Sequence, residues 1–285
     1  MPVLVTGASG LIGSALLAAL PDARSLRRGS QWDPEQGVVD PAVLEGVDAV
    51  VHLAGAGIGD HRWTPEYKRR ILDSRVNGTR ALAGAAASSG SVRTFVCASA
   101  VGYYGDRGDE PVTEESPPGT GFLADVVRQW EAACAPAADA GVRVVNLRSG
   151  IVLSPEGGAL KKQLLPFKAG LGGRLGSGRQ WVSWISLADE VGVIRTALHD
   201  AGLVGPVNVT APEPVTSAGF AKALGRALHR PAVMPVPAFG LRVLFGRDMA
   251  DEMLLAGQRV LPAKLQSNGF NFQHPTLDRA LEGLG

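Results

Sequence analysis

The chain is short of cysteine, of net charge, of long apolar runs and of internal repetition, and each shortage closes off a class of function. Only Cys97 and Cys134 occur in 285 residues. Their separation fits neither a zinc-ligand pattern nor a CxxC redox pair, so both read as buried thiols. The five histidines, at 52, 61, 199, 229 and 274, are scattered without metal-ligand spacing, which argues against a metalloenzyme. Lysine and arginine number 28 against 27 acids, a net charge of +1. Nothing in that balance points to nucleic acid or an anionic membrane as partner, and the densest basic run, Lys68-Arg69-Arg70, reads as a solvated helix face. No apolar stretch approaches the roughly 18 residues of a membrane span, and Met1-Pro2 passes into strand pattern without a signal sequence. A soluble, cytoplasmic protein with a small-molecule partner is expected, with a second copy of the chain, as a homodimer, the one macromolecular partner left open. No repeat or low-complexity tract is present.

The hydrophobic content, 45%, is enough for one large or two modest domains. Its most informative part is the start. Val3-Leu4-Val5-Thr6 runs into Gly7-Ala8-Ser9-Gly10-Leu11-Ile12-Gly13, and a helix-friendly segment, Ser14 to Leu20, follows. A buried strand, a tight turn and a helix are predicted. In such a unit the glycines let backbone approach a ligand, while the helix N-terminus presents unpaired amides to a pyrophosphate. The spacing is GxxGxxG and departs from the GxGxxG dinucleotide fingerprint, so the glycines alone also fit an ordinary strand-to-helix turn. About 20 residues past the first glycine, where an acid would bind a ribose 2′-hydroxyl, stand Arg27 and Arg28. Two guanidiniums suit a 2′-phosphate, and hence NADP(H) over NAD(H).

Further along, residues 29–41 lack periodicity and read as a loop, and 43–46 as a short helix or turn. Asp48 to Gly55 is a buried strand in which His52 reads as a satisfied core residue. Thr64 caps a helix that starts at Pro65 and carries an apolar stripe (Ile71, Val76, Leu82, Ala85, Ala86) to about residue 89. Val92 to Ala98 is a strand, and Ser99, Tyr103 and Tyr104 lie just past its carboxyl end, where an open α/β sheet places its chemistry. The two tyrosines equally fit packing residues with hydroxyls at a rim. After a loop at 106–121, a helix over 122–140 and a strand over 142–147, the alternation falters at 154–179. It resumes with a short strand at 181–185, a helix at 187–198 and a strand at 207–210. One amphipathic helix is predicted at 217–228, another from 238 to 256, and a short one at the end. The fold class is α/β, a doubly wound parallel (Rossmann) sheet with a smaller C-terminal lobe: residues 1–150 and 187–211 as the NADP-binding domain, 151–186 and 212–285 as the substrate lobe.

Four blocks together carry a resemblance: Thr6 to Gly13, Val51-His52-Leu53-Ala54-Gly55, Ser99 to Gly105, and Gly176-Ser177-Gly178-Arg179-Gln180-Trp181. The chain resembles the extended short-chain dehydrogenase/reductases, in their atypical NAD-dependent epimerase/dehydratase-like branch, over nearly its full length to Gly257-Gln258-Arg259-Val260-Leu261-Pro262. The resemblance implies cofactor contacts at Gly7, Ser9, Gly10, Leu11, Ile12 and Gly13, with Arg27 and Arg28 at the adenosine phosphate and Leu53 and Ala54 beside the adenine ribose. It also implies contacts from Arg75, in place of the asparagine usual in extended members, and from Val152.

The usual catalytic pair, Tyr-x-x-x-Lys, is missing. Four residues beyond Tyr67, Tyr103 and Tyr104 stand Ile71, Arg107 and Gly108; aligned on Glu131, the pair's positions fall at Leu123 and Val127. The serine position falls at Ser99 or, aligned on Tyr104, at Ala100. Ser99, Tyr103 and Tyr104 are the catalytic candidates, although a phenol unassisted by a cation titrates near ~10. Two functions follow: an NADP(H)-dependent oxidoreductase or epimerase acting on a small polar, sugar-like substrate, or a non-catalytic NADP(H)-binding or redox-sensing protein.

Overall fold

A computed structural model describes residues 1–29 and 31–284; Ser30, within the stretch read as a loop, and Gly285 lie outside the described residues. Strands β1 (Val3–Thr6), β2 (Arg24–Leu26), β3 (Ala49–His52), β4 (Thr94–Ala100), β5 (Arg143–Ser149) and β6 (Gly205–Val209) form a six-stranded parallel sheet in the order β6-β5-β4-β3-β1-β2. The chain therefore leaves β1 for β2 on one side and returns to β3 on the other. Helices α1 (Leu11–Ala19), α2 (Pro65–Ser89), α3 (Phe122–Ala132) and α4 (Leu187–His199) lie among the crossovers. The doubly wound α/β class expected from alternating buried strands and helices is the class observed.

Strand identity follows from burial on both faces: all four residues of β1 and all four of β3 are buried, which is why they read as unbroken apolar runs. Helix α2 begins where sequence placed it. The Thr64 side chain accepts from the Tyr67 amide at 3.2 Å, Pro65 occupies the first turn, and Gly90 closes the helix at φ 66°. Its buried stripe runs through Ile71, Val76, Leu82, Ala83 and Ala86.

The chain folds into two compact units. The first comprises Met1–Ala100, Asp125–Arg148 and Val191–Val207. Its core gathers Leu4, Leu26, Trp32, Val50, Leu82, Phe95 and Trp130. The second comprises Val101–Ala124, Ser149–Glu190 and Asn208–Gly285. It is built around Leu153, Phe167, Trp184, Phe220, Leu224 and Leu277, with a smaller cluster of Tyr104, Val112 and Val260.

Three local expectations need correction. The stretch 29–41 contains a short antiparallel ladder, Trp32–Asp33 against Val38–Val39. Trp32 drives it, being 2% exposed with its ring edge-on to His52 at 5.9 Å; a single tryptophan has no periodicity to reveal it. The helix over 122–140 is two helices, α3 and Ala135–Asp139, broken around Cys134 ahead of Pro136. The helix from 238 stops at Phe245 because Gly246 takes φ 87°; a short turn and a π-type segment continue to Leu255.

Candidate functional site

In the first unit the site grows from the register of three strands. Thr6 pairs with Leu26 on one side and His52 on the other, so Gly7 leaves the sheet between Arg27 and Leu53. Gly7 takes φ 71°, and a side chain on it would meet the Leu53 carbonyl carbon at 2.7 Å and the Ala54 nitrogen at 2.8 Å. Gly13, buried in α1, lies so close to the turn that a Cβ there would enter the shell of the Gly7 carbonyl oxygen. Gly10 differs. It is exposed, caps α1 with extended backbone (φ −78°, ψ 170°), and a Cβ on it would meet only the Gly7 oxygen, at 3.3 Å. Two of the three glycines are thus explained by packing inside the protein, while Gly10 fronts open space.

The first intrahelical bond of α1 runs from Ser14 to the Gly10 carbonyl at 2.9 Å. The amides of Leu11, Ile12 and Gly13 are therefore the leading end of the helix, where backbone donors and the dipole favour an anion. Ser9 is exposed beside them, and Leu53 and Ala54 are half-buried across the turn. Arg27 and Arg28 are exposed past β2; Arg28 reaches the Glu35 carboxylate at 3.5 Å.

Arg75, on α2, donates to the Ala56 carbonyl at 2.9 Å and the Ile71 carbonyl at 3.2 Å, and stacks on Trp130 at 4.9 Å. Burial lowers its pKa to about 10, so it stays charged at neutral pH. It fastens the ribbon after β3 to α2, helped by Ser74, whose hydroxyl accepts from the Ala56 amide at 3.1 Å. His52 is a core residue: its Nδ1 lies 2.7 Å from the Thr6 hydroxyl, and burial, aided by the Arg75 charge, lowers its pKa to about 3.

Ser99 is 5% exposed and ends a chain of charge. Its hydroxyl donates to Glu131 Oε1 at 2.6 Å, and Arg148 grips both oxygens of that carboxylate, Nε and Nη2 each at 2.8 Å. Bidentate geometry of this kind is the strong form of an ion pair. Sequence reasoning used Glu131 only as an alignment mark and missed Arg148. A charged residue closing an apolar strand, as Arg148 does in Val144-Val145-Asn146-Leu147-Arg148, is the signal that would have found it. Both cysteines are buried thiols; Cys134 Sγ donates to Asn146 at 3.4 Å, and burial pushes the Cys97 thiol up.

In the second unit the two tyrosines part company. Tyr104 is fully buried, its hydroxyl donating to Asn208 Oδ1 at 2.6 Å. Asn208 in turn donates to the Leu261 carbonyl at 2.9 Å, and its amide to Glu114 at 3.0 Å. Tyr103 is half-buried and meets Tyr104 edge-to-face at 5.3 Å. Val152 lies in the strand Ile151–Leu153, paired with Ile185.

The same unit buries a second carboxyl. Ser149 donates to Glu190 Oε1 at 2.7 Å, while Oε2 has no hydrogen-bond partner among the described residues. Burial raises the Glu190 pKa to about 7, against the opposing pull of Ser149. The folded protein therefore keeps this proton up to about pH 7, whereas the unfolded chain releases it near the ordinary glutamate value of 4.5. Stability falls as pH rises through that window, by up to about 3 kcal/mol for one group. Glu190→Gln is expected to match the wild type near pH 4.5 and to exceed it increasingly toward pH 8 in urea unfolding; a pH-independent difference would contradict this. Among the described residues no cluster of three or more metal-ligating side chains occurs, and no helix is long and apolar enough to cross a membrane.

The strand–glycine turn–helix at the carboxyl end of β1, set where strand order reverses, is matched by comparison. Residues 3–209 fit the model of the NAD dependent epimerase/dehydratase family. The chain belongs to that family. Residues 236–284 also match a domain of unknown function, DUF1731. The epimerase family protein Mb2239 of Mycobacterium bovis is 48% identical, over 98% of this chain and 96% of its own. The human epimerase family protein SDR39U1, solved with NADPH, superposes with a TM-score of 0.90 at 35% identity, covering 99% of this chain and 98% of its own. A structure described as the nucleoside-diphosphate sugar epimerase from Corynebacterium glutamicum matches at 37% identity and a TM-score of 0.81, over 99% of this chain and 57% of its own. Family membership agrees with the resemblance seen in the four sequence blocks.

Proposed function

We propose that this family member is an NADP(H)-binding oxidoreductase or epimerase-like protein acting on a small polar, sugar-like substrate. The observation that carries the reading is Gly10. It is exposed at the N-terminus of α1, and packing explains its missing side chain least; a closely approaching pyrophosphate explains it. Gly7, Ser9, Leu11, Ile12 and Gly13 complete that cradle. Arg27 and Arg28 stand one strand away for a 2′-phosphate, Leu53 and Ala54 flank the turn, and Arg75 holds their ribbon in place. Val152 is assigned to the same cofactor. The NADPH bound by SDR39U1 and the sugar nucleotide named for the Corynebacterium protein both support the assignment. When bound, NADP(H) supplies hydride transfer; the protein's task is to orient it and to manage a proton.

For that proton we favour Ser99 and Tyr103. Ser99 is aligned by the Glu131–Arg148 pair, and Tyr103 keeps partial access to solvent. Tyr104 is closed off, with its proton directed at Asn208, and serves to hold Tyr103 and the strand ahead of Pro262 in place.

The test is a titration of NADPH and NADH into the wild type and Arg28→Asp. Replacing one charge-assisted partner by a repelling one is expected to weaken NADPH at least about tenfold more than NADH. Equal loss for both would remove Arg28 as the reader of the 2′-phosphate, and failure of NADPH to bind the wild type would remove the whole reading. The commitment of Tyr104 to Asn208, with no Tyr-x-x-x-Lys pair, favours a second reading: a non-catalytic NADP(H)-binding or redox-sensing protein. Turnover of bound NADPH by any carbonyl compound or nucleotide sugar in a broad screen separates the two.

A further inference from the structure

The near-zero charge of the whole chain conceals a local asymmetry in the second unit. Residues 157–188 hold Lys161, Lys162, Lys168, Arg174 and Arg179, residues 214–247 hold Lys222, Arg226, Arg230, Arg242 and Arg247, and neither stretch contains a single aspartate or glutamate. The fold laces the two together. The Met234 amide donates to the Gly172 carbonyl at 3.1 Å, the Val236 amide to the Arg174 carbonyl at 2.9 Å, and Arg230 Nε to the Lys168 carbonyl at 3.2 Å. Acids from elsewhere answer only some of the cations: Asp278 meets Arg226 at 2.7 Å, and Asp251 meets Arg242 at 2.8 Å and Arg247 at 3.7 Å. Among the described residues Lys161, Lys168, Lys222 and Arg230 meet no carboxylate. A hollow of about 670 Å³ is lined by Lys222, Arg226, His229 and Arg230, with Val233 at its apolar side.

The same two stretches carry apolar surface. Among the described residues, seven of the ten large apolar side chains left exposed lie here: Leu165 and Leu171 in the first stretch, and Val233, Met234, Phe239, Val243 and Leu244 in the second. Phe239 and Val243 stand about one turn apart on the helix Ala238–Phe245, 77% and 59% exposed, while Leu241 of that helix is buried. Pro231, Pro235 and Pro237 restrict the backbone that leads into it. Exposed apolar groups gathered in this way mark a docking surface, and the charges around them select the occupant. A second copy of the chain laid on this surface would set cations against cations, and a nucleic-acid backbone would leave the aliphatic side chains without a partner. An anionic bilayer satisfies both sets, taking the apolar side chains at the acyl boundary and the lysines and arginines at the headgroup phosphates. We propose that the second unit carries a peripheral membrane-docking surface, formed by the helix Ala238–Phe245, the segment before it and the basic hollow, that binds anionic phospholipid. It lies on the bilayer and spans nothing.

Flotation of the full chain with lipid vesicles tests it, using phosphatidylcholine alone and phosphatidylcholine with about 40% phosphatidylglycerol. The wild type is expected to float with the anionic vesicles, to stay behind with the neutral ones, and to be released by high salt. Lys168→Glu with Lys222→Glu should weaken the partition at least about thirtyfold, and Phe239→Ser with Leu244→Ser about tenfold or more. All four positions are exposed, so both double variants should melt within a few degrees of the wild type and bind NADPH as it does. The proposal is overturned if the wild type ignores anionic vesicles, or if either folded double variant floats as the wild type does. A wild-type dimer in analytical ultracentrifugation that Phe239→Ser with Leu244→Ser splits into monomers, without vesicle binding, would give the surface to a second copy instead. The vesicle assay is read without cofactor or substrate, so its failure leaves the cofactor reading standing.

Discussion

Gly13→Ala is expected to abolish practical NADPH binding, with a loss on the order of a hundredfold, equivalent to two charge-assisted hydrogen bonds of about 1.5 kcal/mol each. The cause is geometric. A Cβ at Gly13 would collide with the Gly7 carbonyl oxygen and crowd the Ala8 Cα at 2.9 Å, both of them backbone. Neither neighbour can rotate away, so the turn must move relative to α1, and the amides of Leu11, Ile12 and Gly13 lose their common aim. Overpacking of this kind also destabilises by about 1–3 kcal/mol, which chemical denaturation will show. Gly10→Ala is the informative partner. Its Cβ meets only one atom, at 3.3 Å, so the variant should fold as the wild type while still losing affinity, because the methyl points where the ligand would lie. Wild-type affinity in Gly10→Ala would mean that the pyrophosphate does not approach at this position.

Arg148→Met should produce the largest fall in stability, about 3–5 kcal/mol, because it strands a carboxylate that is only partly reached by solvent. Arg148 is 3% exposed and Glu131 13% at their side chains. The pair is bidentate, and the remaining contact to Glu131, the Ser99 hydroxyl, is a neutral donor that cannot balance the charge. Removing both charges together, in Arg148→Met with Glu131→Leu, should restore much of the loss, since two apolar groups of similar size need no partner. Comparing single and double variants by urea unfolding measures the coupling. If the double variant is as unstable as the sum of the singles, the pair is not acting as a unit. The same variants would release Ser99 from its alignment, so any reductase activity should fall in the double variant even where its fold recovers.

The two results bear on different parts of one design. The glycine turn is a backbone device, and its requirement for residues without side chains is written into the order Gly7, Gly10, Gly13. The Ser99–Glu131–Arg148 chain is a side-chain device whose members lie 32 and 17 residues apart. No local pattern links them. Only the parallel pairing that brings β4 beside β5, with α3 between them in the chain, places one hydroxyl, one carboxylate and one guanidinium together.

Much of this protein was legible from residues alone because the relevant forces are local. Apolar runs of four to seven residues become strands when both faces are buried, a threonine before a proline starts α2, and glycines after β1 turn the chain into a helix. The fold class follows from those patterns, and the family from the four blocks that carry the resemblance. Side-chain commitments were not legible. Tyr103 and Tyr104 are neighbours of identical chemistry, yet one is half-buried and the other is sealed with its proton on Asn208, 104 residues away. Glu190 is one acid among 27 in the sequence, and only burial lifts its pKa to about 7. Sequence determined where the glycine turn and the helix behind it lie, because that is a property of backbone and spacing. Tertiary structure decided which polar groups are satisfied and which remain to be used, because desolvation and pairing depend on neighbours that only folding supplies.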